Sequence, residues 1–174
     1  MSKKSGSKSK VTYEGKVKVQ LYHGNKVYKT IKEKNKGTWS LFNFLVNCLA
    51  GNYYDNQRPM YLRVYKVDAE DYAAGDEGDI NERDEITTMA IPVRKATVKL
   101  AGSTDTQASA VFDFLIPAST LVENGSGNLL VLFSTDNRNI VSKPSAEVLL
   151  EHPVTKESGT SNIRVEWELI IGNK

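Results

Sequence analysis

Two histidines, one cysteine and a short acidic run are the residues with which this chain could do chemistry. His23 lies in the turn-forming run His23-Gly24-Asn25-Lys26, and His152 stands before Pro153. Neither falls in a nucleophile or metal motif, and histidines so placed read as exposed turn residues rather than as bases. Cys48 lies in an apolar segment with nothing near it in sequence to activate a thiolate, so it reads as a buried, inert thiol. A single cysteine excludes an internal disulfide. Asp76-Glu77-Gly78-Asp79 could offer oxygens to calcium, but it lacks the EF-hand spacing and the closing bidentate glutamate. Gly24, Gly51, Gly125 and Gly127 form no phosphate-cradling loop. No catalytic, cofactor-binding or metal-binding residue is assigned, and the expectation is a protein that is not an enzyme and needs no cofactor.

The elements that would position any site read as strands. Ile163, Val165, Trp167, Leu169 and Ile171 alternate with Arg164, Glu166 and Glu168. Only the two-residue period of a strand collects those apolar groups on one face. The same alternation runs through Val11, Tyr13, Val17, Val19 and Leu21, with Lys16, Lys18 and Gln20 opposite. With 27–34 it predicts a lysine-faced hairpin turning at Gly24-Asn25. Thr38 and Gly51 bracket one predicted helix, Trp39 to Ala50, whose Leu41, Phe42, Leu45, Val46 and Leu49 recur at three- and four-residue spacing. Further strands are expected at 60–67, in one or two pieces over 86–100 with a break at Pro92, at 110–115, at 129–133 and from Ala146. Leu129 to Phe133 is apolar at every position, which marks a central strand covered on both faces. Turns are expected at 103–106, 124–127 and 136–139, and Ser158-Gly159 precedes the closing strand. Eight or nine short strands with one helix predict an all-β, mainly antiparallel fold, a β-sandwich or jelly roll. Trp167, Phe112, Phe114 and Leu41 are the expected core.

At 174 residues the chain is expected to be a single domain over 11–174. Residues 1–10 are serine, lysine and glycine after the methionine, and read as a flexible basic arm. A net charge of +2 conceals two blocks of opposite sign. The first 36 residues hold eleven lysines against two glutamates, and residues 68–85 hold nine acidic groups against Arg83. The acidic stretch, about 68–85, is expected to be a long loop. Such blocks can steer copies or partners together, or can be a solvated tail and a solvated loop. The expected assembly surface comprises Lys3, Lys4, Lys8, Lys10, Lys16 and Lys18 on one side and Asp76, Glu77, Asp79, Glu82, Asp84 and Glu85 on the other. No apolar leader and no apolar run of about 20 residues is visible, so the expectation is a soluble chain made in a reducing cytoplasm, with no membrane partner.

Two stretches carry a resemblance. One is the lysine-rich hairpin followed by 35–45, Asn-Lys-Gly-Thr-Trp-Ser-Leu-Phe-Asn-Phe-Leu, and by Leu49-Ala50-Gly51-Asn52. The other runs from Phe112-Asp113-Phe114-Leu115-Ile116-Pro117 through 129–134, Ala146-Glu147-Val148-Leu149-Leu150 and Pro153-Val154-Thr155-Lys156 to Val165-Glu166-Trp167-Glu168. Over some two-thirds of the chain this order resembles small virion structural proteins of tailed bacteriophages. The resemblance implies an all-β structural component that assembles in many copies with itself and with other virion proteins, in a capsid, collar, tail or fibre attachment. It implies a location in the virion after synthesis in the host cytoplasm, and it transfers no active-site residue. The acidic insert lies outside the pattern. Two other readings stay open. Lys-rich strands bearing Tyr13, Tyr22 and Tyr28 suit a nucleic-acid-binding β module, and loop tyrosines Tyr53, Tyr54 and Tyr72 suit a glycan- or receptor-binding sandwich.

Overall fold

The computed structural model describes residues 11–37, 50–51, 60–74, 83–100, 107–123, 125–134 and 144–173. Ten strands follow in chain order: β1 (Val11–His23), β2 (Lys26–Gly37), β3 (Tyr61–Lys66), β4 (Asp84–Glu85), β5 (Ile91–Pro92), β6 (Lys95–Leu100), β7 (Gln107–Pro117), β8 (Ser126–Phe133), β9 (Ala146–Thr155) and β10 (Thr160–Asn173). A short helix, α1 (Ala69–Ala74), lies between β3 and β4. Every pairing is antiparallel, as expected for an all-β fold.

Alternation builds the first sheet. Its strand order is β2-β1-β10-β7-β6. Val17 faces Trp167, Val19 faces Val165, and Leu21 faces Ile163 across β1 and β10, while Trp167 faces Phe112 across β10 and β7. These side chains point inward together with Phe114 and Ile116. The second sheet has the order β9-β8-β3, with β4 and β5 both pairing β3. It sends Leu62, Val64, Leu130, Leu132, Val148 and Leu150 to meet them. The result is a sandwich with one apolar core, centred on Trp167 and Phe114, both 0 % exposed. Phe112 is half-buried against that core.

Among the connections between the sheets, two hydrogen-bond to strands of both. β2 starts beside β1 and ends beside β9, where Lys36 and Gly37 pair with Glu147 and Ala146. Sheets of a sandwich meet at such corners when one strand passes from one to the other. On the other side, Val93 donates its N–H to the Met60 carbonyl and Arg94 donates to that of Asp113, so the chain steps from β5 to β6 across the gap.

β8 lies between β3 and β9 and is buried on both faces, as its unbroken apolar run predicts. Leu130 and Leu132 enter the central core, whereas Leu129, Val131 and Phe133 form a second cluster with Tyr65 on the outer face. The outer face of the second sheet is therefore apolar and covered, and that of the first is charged and open.

Several local expectations change. Of the turn expected at 124–127, Ser126 and Gly127 already belong to β8, and the Gly125 N–H donates to the Val122 carbonyl. The acidic stretch is not one loop. Asp68 accepts the N–H groups of Glu70 and Asp71 through Oδ1 and so caps α1, and β4 lies at the far end of the stretch. β9 continues through Pro153, because residues 150–153 bulge opposite Asn128 and the proline owes no ladder bond there. Gly24, at φ +56, turns β1 into β2 as predicted. Gly51, at φ +78, has the left-handed conformation expected after a helix. The predicted helix itself, with Leu41 and Cys48, lies outside the described residues, as do the arm 1–10 and the predicted turns at 103–106 and 136–139.

Two substitutions test the packing. A Cβ on Gly127 would lie 2.6 Å from Ile86 Cδ1 and 2.7 Å from Val64 Cγ1. Gly127→Ala is expected to cost about 1–3 kcal/mol through overpacking, read from the urea midpoint. Trp167→Ala is expected to cost about 3–5 kcal/mol in the same assay. The loss comes from packing, since the Trp167 indole N–H is buried with no hydrogen-bond partner among the described residues.

Candidate functional site

The open face of the first sheet is where the sequence-predicted lysines meet their neighbours. On β1 and β2 the outward positions include Lys16, Lys18, Lys32 and Lys34, with Glu14 3.3 Å from Lys34 Nζ. The register sets Lys16 opposite Lys34 and Lys18 opposite Lys32. Like charges placed directly opposite oppose strand pairing, so this quartet is not what holds the hairpin together. The next strand reverses the sign. Lys18 faces Glu166 and Lys16 faces Glu168 across β1 and β10, and Glu166 faces Asp113 of β7. Beyond these, β6 is basic again, with Lys95 opposite Asp113 and Lys99 opposite Ser109.

The surface is thus banded basic, acidic and basic across five strands. A shallow groove of about 570 Å³ follows the first two bands, lined by Lys16, Lys18, Lys32, Lys34, Glu166 and Glu168 among others. Within it Lys18 Nζ lies 3.6 Å from Glu166, and Lys99 Nζ lies 3.6 Å from Glu168. Ser109 donates to Glu168 at 2.8 Å. Arg164 relieves the opposed acids, with Nε 2.7 Å from Asp113 and an NH2 group 3.7 Å from Glu166. The hydrogen bond to Asp113, reinforced by both carboxylate charges, raises the Arg164 pKa further against the pull of burial. Lys16 and Lys32 have no ion-pair partner among the described residues. These bridges are partly exposed, and such pairs contribute about 0–1 kcal/mol each, so they add little to stability.

The acidic half of the expected surface is distributed differently. Asp84 is exposed on β4, at the far end of the strand path from β6. Glu85 is not a free surface charge. Its carboxylate receives two hydrogen bonds from the Arg63 NH1 group, at 2.9 and 3.0 Å, and one from Thr87 at 2.8 Å. The side chains of Arg63 and Glu85 are only 5 % and 11 % exposed. Arg63 also lies 6.0 Å from the centre of the Phe133 ring, a cation–π distance. A second pair lies on the same covered face, where Arg83 NH1 is 3.3 Å from Glu147 and Tyr72 of α1 donates to Glu147 at 3.0 Å. Sequence reasoning missed both pairs, because the partners are 22 and 64 residues apart. Lys3, Lys4, Lys8, Lys10, Asp76, Glu77, Asp79 and Glu82 lie outside the described residues.

The aromatic alternatives are also placed. Tyr13 and Tyr28 pack against the core, and Tyr28 stacks on His23 at 3.8 Å and hydrogen-bonds to Thr160. They do not form an open platform for bases. Tyr72 is half-buried on Glu147, and Tyr53 and Tyr54 are outside the described residues. His152 is exposed in the β9 bulge. Among the described residues no group of histidine, cysteine and carboxylate side chains could hold a metal, and no helix is long and apolar enough to cross a membrane.

No family model matches the chain, and no curated protein or solved structure is detectably similar to it.

The two kinds of charge pair should respond differently to mutation. Arg63→Ala leaves Glu85 buried without its cation and is expected to cost about 3–5 kcal/mol. Lys18→Ala is expected to cost about 0–1 kcal/mol. Chemical denaturation of the two variants against the parent chain measures both.

Proposed function

We propose that this chain is a non-enzymatic assembly module and that the charge-banded face of the first sheet is its docking surface. One observation carries the reading. The lysine quartet is set in like-charged cross-strand pairs on an open face, an arrangement that works against the isolated hairpin. A partner surface with carboxylates over β1 and β2 would relieve that repulsion. The adjoining acidic band supports another copy as that partner. When one copy is turned by a half-rotation about an axis running along the strands between β1 and β10, the basic band of β1 and β2 on each copy lies over the acidic band of the other. That is the isologous arrangement of symmetric oligomers.

The resemblance to tailed-phage virion proteins supplies the setting. The chain would serve in the virion as a structural component present in many copies, meeting itself and other virion proteins. A nucleic-acid role is the second reading, favoured by the four lysines alone. The acidic band beside them would repel a phosphate backbone lying across the sheet.

Light scattering at low and high salt tests the proposal. The expected outcome is a discrete oligomer near 0.05 M salt that dissociates near 0.5 M, since the screening length falls from roughly 14 Å to roughly 4 Å. Lys16→Glu with Lys18→Glu should abolish the oligomer while leaving the unfolding midpoint nearly unchanged. Adding the Glu166→Lys, Glu168→Lys double variant should restore a mixed oligomer. A monomer at every salt concentration overturns self-assembly, and retention of single-stranded DNA by that monomer would move the assignment to the second reading.

A further inference from the structure

The first sheet ends in β6, which pairs with β7 on one side and with no described strand on the other. Residues 94–99 are all exposed, and Val98 is 68 % exposed. An open edge of this kind presents main-chain N–H and C=O groups that an added strand can complete. The opposite end of the strand path is closed in a different way. β4 and β5 are two residues long, and β5 ends in Pro92, which has no N–H to donate. β6 runs for six residues with no proline and no register shift against β7.

Charge determines what fits beside it. Lys95, Thr97 and Lys99 share the solvent face, and Ala96 and Val98 share the other. An antiparallel β6 from a second copy, centred on Thr97, would set Lys95 against Lys99 and Lys99 against Lys95. A parallel copy in register would set each lysine beside itself. Both place like charges directly opposite, which disfavours self-pairing at this edge. An acidic strand would instead continue the alternation of sign across the sheet, and small branched residues on its other face would cover Val98.

We infer that β6 is a strand-acceptor edge for an extended segment of a different protein, with carboxylates four residues apart facing Lys95 and Lys99 and β-branched residues between them. The edge stands independently of the banded face, so failure at one does not decide the other.

The test uses the full chain, isotopically labelled, and two end-capped synthetic peptides: Thr-Glu-Val-Thr-Val-Glu-Thr and its counterpart with lysine in place of both glutamates. The acidic peptide is expected to shift and protect the amides of residues 95–99 at millimolar concentration. The lysine peptide should bind about tenfold more weakly, as two exposed charge pairs changing sign would require. Lys95→Glu with Lys99→Glu should invert that preference. A third peptide, acidic but N-methylated along one edge, keeps the charge and loses the main-chain bonds, and it should not bind. Three results would each overturn the inference: no perturbation in β6, equal binding of the two unmethylated peptides, or undiminished binding of the methylated one.

Discussion

The alternation along β10 is the constraint on which the other features depend. Its inward residues Ile163, Val165, Trp167 and Leu169 sit among the inward side chains of β1 and β7, and its outward residues Arg164, Glu166 and Glu168 form the acidic band. A slip by one residue would bring three charges into the core and put Trp167 in water. The two sets cannot be adjusted separately, because a strand has one period and two faces. Burial of the apolar set therefore holds the charged set in place, although the charges themselves add little to stability.

The two sheets use that rule to different ends. The first leaves its outer face polar and open, as antiparallel sheets commonly do. The second buries both faces, and its outer cluster of Tyr65, Leu129, Val131 and Phe133 is bordered by the Arg63–Glu85 and Arg83–Glu147 pairs. There the charged groups are desolvated and so need fixed partners, whereas on the first sheet lysines stand in water and can exchange partners at little cost. The same residue types thus hold structure on one side and stand in solvent on the other.

The sequence shows this division only in part. Val17, Val19 and Leu21 against Lys16, Lys18 and Gln20 report a half-buried strand, and the continuous apolar run 129–133 reports a strand covered twice. Gly24, at positive φ, stands where its turn was expected, and Ser158-Gly159 directly precedes β10. α1 is less legible because it buries no residue and so has no apolar stripe, although Asp68 followed by Ala, Glu and Asp is a capping signal in hindsight. The passage of β2 from one sheet to the other leaves no trace in composition, since it depends on where β9 lies. Glu85 looks like one more acid in an acidic run until the fold brings Arg63 beside it. Local periodicity can be read along the chain, but pairings between distant charges appear only once the topology is known.

The placement of β10 also bears on how the molecule comes into being. It is the last described strand to be synthesised, yet it lies between β1, among the first, and β7. Until residues 160–173 leave the ribosome, the β1–β2 and β6–β7 hairpins have no common neighbour and the acidic band does not exist. At translation rates of about 5–20 residues per second, the early hairpin waits roughly 7–27 s with its β1 edge unpaired. Its lysines and Glu14 are then in place, as are Lys95, Lys99 and Asp113, whereas Arg164, Glu166 and Glu168 are still to come. The first sheet, and with it the banded face, is whole only when β10 enters between β1 and β7.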